Sequence, residues 1–142
     1  YFDTERCGAS SMVNLRGTKN TIKTKCIVKR LDDVFPSFNI NQLDFIKCDV
    51  EGAEKLVFEG GLETIKKYKP IIYAEMLRKW SKIFGYHPDS IINLLADIGY
   101  NCYRYFNNKM ERIDSVTPQM ETTNFFFIHQ LKHKRFRMYQ GG

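Results

Sequence analysis

Four carboxylates stand where acid–base chemistry could be done. Asp49 closes the mostly apolar run Leu43 to Val50, with Glu51 and Glu54 just after it, and Glu75 closes a second apolar run, Ile71 to Ala74. An aspartate at the tip of a buried strand is costly unless it has a partner or a ligand. Placed against an alcohol, such a carboxylate takes the proton as a new bond forms at oxygen, an effect worth roughly 10² to 10⁴-fold in rate. Ordinary structural roles compete with this one. Glu51 and Glu54 at a helix start would complement the helix dipole by about 0.3 to 1 kcal/mol each, and Asp49 as a helix cap would contribute about 1 kcal/mol. For Glu54 the dipole role is the better account, and for Asp49 the chemical one. Asp49, Glu51 and Glu75 are also oxygen ligands of the kind that suit Mg²⁺, but a metal-free site is the preferred reading.

The elements that would position these groups follow from periodicity. Leu43–Val50 reads as a buried strand. From Ala53 to Tyr68 apolar residues recur at three and four, which makes an amphipathic helix with a bend at Gly60-Gly61, where each glycine costs about 1 kcal/mol relative to alanine. Pro70 stops it, and Ile71–Glu75 is a second strand. A helical crossover between two buried strands favours parallel pairing, which places Asp49 and Glu75 on the same side of the sheet. Ligands bind beyond the carboxyl ends of such strands.

Elsewhere, Asn20–Arg30 is rich in β-branched residues and reads as a strand, and Leu31–Phe38 as one or two helical turns ended by Pro36. Pro88–Ile98 reads as a helix capped by Asp89 or Ser90 and closed by Gly99. Asn101–Phe106 and Asn124–Gln130 read as further strands, with a loop or hairpin over residues 107–123. The expected class is α/β, with parallel strands plus an antiparallel edge strand. Residues 1–131 form one domain and residues 132–142 a basic tail.

Composition bounds the rest. At 142 residues and 43% apolar side chains the chain can bury one core. Its net charge of +6 is partly due to Lys132, His133, Lys134, Arg135 and Arg137. That favours anionic partners without naming one. The tail lacks a stacking platform or groove-reading motif, so no specific nucleic acid is expected. No apolar run reaches the roughly 20 residues that span a bilayer. Cys7, Cys26, Cys48 and Cys102 lack metal or redox spacing and read as reduced, mostly buried thiols, which suits a cytoplasmic protein. His87, His129 and His133 read as core or surface histidines. Trp80, Phe84 and Tyr86 read first as packing residues, and second as an aromatic wall for a sugar or an adenine.

The string Leu43-Asp-Phe-Ile-Lys-Cys-Asp-Val-Glu-Gly-Ala-Glu54, then Val57-Phe-Glu-Gly-Gly61, then Lys67-Tyr-Lys-Pro-Ile-Ile-Tyr-Ala-Glu75, resembles the FkbM family of methyltransferases. The likeness continues more weakly through Leu31-Asp32-Asp33 and Gly99-Tyr100. It implies a Rossmann-like class I methyltransferase sheet using S-adenosylmethionine as cofactor, with the methyl group passing to a hydroxyl of a sugar or another small metabolite. It also implies catalytic roles for Asp49, Glu51 and Glu75 and cofactor contact at Asp49 and Val50. The glycine-rich cofactor loop of such sheets has no counterpart here, since Gly8 and Gly17 are isolated. The chain is therefore expected to be the carboxyl-terminal part of the catalytic domain, with its amino-terminal cofactor-binding strands missing and an exposed sheet edge open to self-association. The competing expectation is an inactive binding or scaffold remnant that recognises acidic ligands.

Overall fold

The structure is a computed structural model that describes residues 1–3, 10–17 and 21–134. In chain order its elements are β1 (Phe2–Asp3), β2 (Thr21–Ile22), α1 (Leu31–Val34), β3 (Phe45–Cys48), α2 (Glu54–Gly60), α3 (Leu62–Tyr68), β4 (Ile71–Glu75), α4 (Arg78–Ser81), α5 (Asp89–Ala96), β5 (Tyr100–Phe106), β6 (Lys109–Ile113) and β7 (Asn124–His129). Short 3₁₀ turns follow α1 and α4.

A five-stranded sheet runs in the order β3-β4-β7-β5-β6. The α2–α3 crossover returns the chain so that β4 lies parallel to β3, with Lys47 opposite Tyr73 and Cys48 opposite Ala74. β7 pairs antiparallel with both β4 and β5, and β6 closes a hairpin on β5. The antiparallel edge strand is thus present as β6. The second antiparallel strand, β7, sits inside the sheet, because after the hairpin the chain re-enters between β4 and β5.

One face of the sheet forms the core. Cys48, Ile72, Ala74, Cys102, Phe125 and Phe127 pack against Phe58, Ile65, Ile91 and Leu95 of the helices, all buried. Each fully buried large side chain of this kind contributes about 1.5 to 3 kcal/mol. The helix break falls at the paired glycines as expected, and a β-carbon on Gly61 would lie 3.0 Å from Leu31 Cδ2. The break lets α1 approach α3. There Asp32 accepts hydrogen bonds from the backbone amides of Thr64 (2.8 Å) and Glu63 (3.2 Å), supplying from a distant segment the cap that the first turn of α3 needs.

Four expectations are corrected. The strand expected over Asn20–Arg30 shrinks to Thr21–Ile22, paired with β1. Residues 23–30 are exposed, Ile27 at 86%, and no strand among the described residues pairs with them. Cys26 is accordingly exposed rather than buried, while Cys48 and Cys102 are buried and Cys7 lies outside the described residues. β3 is not buried on both faces: Phe45 is 53% exposed, since β3 is an edge of this sheet. Neither Asp89 nor Ser90 caps α5, whose cap position is Pro88. The Asp89 carboxylate instead accepts from Val116 N and Ser115 Oγ, fastening the loop that follows β6. Lys132 and His133 are tied to the end of α3, through Tyr68 O at 2.7 Å and Lys69 O at 3.1 Å.

Candidate functional site

The parallel register that sets Cys48 opposite Ala74 carries Asp49 to the level of Glu75 at the carboxyl ends of β3 and β4. The two carboxyls are near enough that each acts on the other's proton affinity. Their environments drive them apart. Lys47 Nζ donates to Asp49 Oδ2 at 2.7 Å and holds that carboxyl below its usual range. Partial burial, and then the neighbouring Asp49, push the Glu75 carboxyl above its usual range. Desolvation and like charge disfavour a second anion, so Glu75 is the member that keeps the proton longer. Thr123 Oγ1 donates to Glu75 Oε1 at 3.3 Å, and Asn124 Nδ2 reaches Thr123 Oγ1 at the same distance, which brings the start of β7 to the site.

Between the two strands the chain turns through Val50-Glu51-Gly52. Glu51 (φ 52°) and Gly52 (φ 98°) are both left-handed. A β-carbon on Gly52 would stand 2.8 Å from Trp80 Cβ and 2.9 Å from the Trp80 carbonyl carbon, so only glycine fits this turn as built. Glu54 folds back and accepts from the amides of Val50 (3.2 Å) and Gly52 (3.0 Å). Tyr86 Oη donates to Gly52 O at 2.8 Å and lies 3.2 Å from Glu54 Oε2. Glu54 is thus the brace of the turn, 2% exposed, a structural role more specific than the dipole complement expected of it. Tyr86 likewise packs and braces, and Trp80 lies under Arg16 (5.3 Å) and Lys79 (4.4 Å).

Glu51 is placed differently. Its Oε1 lies 3.8 Å from Arg16 Nη2, whereas its Oε2 is buried with no hydrogen-bond partner among the described residues. A buried carboxylate oxygen without a donor costs about 1 to 3 kcal/mol or more, which marks a place for a ligand's donor or positive charge. Asp49, Glu51 and Glu75 are therefore brought together, with Glu51 acting on Glu75 through its charge. Val50 donates its amide to Glu54.

Four groups escaped the sequence reading: Lys47, Arg16, Thr123 and Asn124. Lys47 carried a signal, since in a strand positions two apart share a face and Lys47 precedes Asp49 by two. The other three arrive through tertiary pairing alone. His129 is a core histidine: it is buried, stacks edge-on against Tyr100 at 5.1 Å, and accepts through Nδ1 from the amides of Leu131 and Lys132.

No helix among the described residues is long and apolar enough to cross a membrane. No curated protein and no solved structure matches this chain. The Methyltransferase FkbM domain matches it over residues 1–102, a span that holds Asp49, Glu51 and Glu75 and ends within β5. With well over half of its 142 residues covered by that match, the chain belongs to the FkbM methyltransferase family.

Proposed function

We propose that the chain is an S-adenosylmethionine-dependent O-methyltransferase acting on a hydroxyl of a sugar or small metabolite, with Asp49 and Glu75 at the reacting end of a Rossmann-like cleft. The observation that carries this reading is the pairing of the two carboxylates at the tips of adjacent parallel strands. The residues present fit the cationic end of the cofactor: Asp49 is held ionised, and Glu51 Oε2 is a buried acceptor without a donor. Val50, beside Asp49, is assigned a backbone contact to the same end. When bound, the cofactor supplies a methyl group activated by its sulfonium. The family match begins at residue 1, so it does not support reading the chain as the carboxyl-terminal part of the domain. The free thiols of Cys26, Cys48 and Cys102 suit a reducing, cytoplasmic setting.

The acceptor hydroxyl is fixed by Asp49, whose charge Lys47 maintains. Glu75 is better matched to take the proton, because its raised affinity makes it the stronger base of the pair once ionised. Holding the oxygen in line at about 3 to 3.5 Å from the methyl carbon is the larger part of the task.

In the whole protein, Asp49→Asn is expected to lower methyl transfer to hydroxylated acceptors by about 10² -fold or more. Calorimetric affinity for S-adenosylhomocysteine should stay within a few fold. Near-normal turnover in that variant refutes the assignment. Glu75→Gln should remove the acidic limb of the pH–rate profile, a limb expected above the usual glutamate range of about 4.3.

A further inference from the structure

Beside this site lies a second concavity of about 430 Å³, lined by Arg78, Lys82, Gly85, Tyr86 and His87. Arg78 and Lys82 stand one turn apart, and like charges at that spacing repel by a few tenths of a kcal/mol in an isolated helix. Neither side chain has an acidic partner among the described residues. Asp89, two residues after His87, is already engaged by His87 Nδ1 at 3.2 Å, Ser115 Oγ and Val116 N. Gly85 is left-handed (φ 78°) and exposed, and a β-carbon there would meet nothing within 4 Å.

The location ties this concavity to the acceptor cleft. Arg78 follows Glu75 by three residues, directly after β4 ends. Tyr86 lines the concavity and its hydroxyl reaches the Gly52 carbonyl in the turn that carries Glu51. A guanidinium and an ammonium lining one concavity are suited to a carboxylate, sulfate or phosphate ester, the guanidinium by paired N–H donors and the ammonium as a point charge.

We propose that this concavity is an oxyanion subsite that holds an acidic substituent of the acceptor, so that the substrate class is an acidic saccharide or acidic small metabolite rather than a neutral one. The inference rests on the methyltransferase reading for the word acceptor, and on Arg78 and Lys82 alone for the word anion.

The test is a chemical-shift titration of the whole chain with sodium sulfate, D-glucuronate and D-glucose at constant ionic strength, using wild type, Arg78→Gln/Lys82→Gln and Asp49→Asn. Saturable shifts across residues 78–87 with sulfate and with glucuronate, weakened at least 10-fold in the double variant, are expected. Glucose should give none. Asp49→Asn should bind sulfate as wild type does, which separates this subsite from the fate of the catalytic assignment. Linear shifts that match sodium chloride, or equal saturation in the double variant, overturn the oxyanion subsite. Binding of sulfate without glucuronate overturns its assignment to the acceptor. Circular dichroism checks that the double variant is folded, and Lys82→Gln alone, expected to weaken sulfate several-fold, repeats the test with one charge removed.

Discussion

At the scale of single residues, the site depends on a turn that tolerates no side chain at one position. Gly52→Ala forces a β-carbon into Trp80 at a left-handed backbone angle, and strain of that kind costs about 1 to 3 kcal/mol. Urea unfolding should show that loss. Trp80 is the single tryptophan of the chain, so its emission should shift as its backbone is pushed away. An unchanged midpoint and spectrum would mean that the turn relaxes freely. The acidic residues themselves were legible from their places after two apolar runs, but the cost of burial is not what marks Asp49, which is exposed and paired with Lys47. Their division of labour was not legible. Lys47 beneath Asp49, and burial around Glu75, separate two groups that look alike in a linear string.

At the scale of elements, α3 owes its start to another part of the chain. Burial alone would raise the Asp32 carboxyl, but the amides of Thr64 and Glu63, with Arg30 nearby, outweigh it and hold the group below its usual range. A depressed carboxyl of this type contributes stability that is complete above the unfolded value near 3.8 and is lost as pH falls through the folded one. Asp32→Ala is therefore expected to cost about 1 to 2 kcal/mol at pH 7. The wild-type advantage should shrink in unfolding curves taken below pH 4, and a pH-independent difference would show that Asp32 acts by packing instead. The helix break at Gly60-Gly61, the stop at Pro70 and the parallel β3–β4 pair were all readable from spacing. Of the strand expected over Asn20–Arg30, residues 23–30 misled, since β-branched composition reports fitness for a sheet and not the presence of a neighbour. The capping of α5 misled for a related reason: Asp89 is recruited by Ser115 and Val116, 26 and 27 residues later.

At the scale of the whole molecule, β3 has no partner on its outer side among the described residues and its Phe45 is half exposed, a combination that invites strand addition by another copy. Light scattering at high protein concentration is expected to show self-association, and Phe45→Lys should reduce it. A clean monomer for wild type under those conditions excludes the edge as an association surface. The order of the sheet carries one more consequence. β4 and β5 never touch as neighbours; β7 fills the gap between them and belongs to residues 124–129, past the last residue of the family match. A nascent chain that has emerged only as far as Phe106 would hold two strands waiting for a third not yet made. Folding of the core is in that sense gated by translation of β7, and a stop codon anywhere in the hairpin should yield a product that proteases clear rather than a smaller working domain.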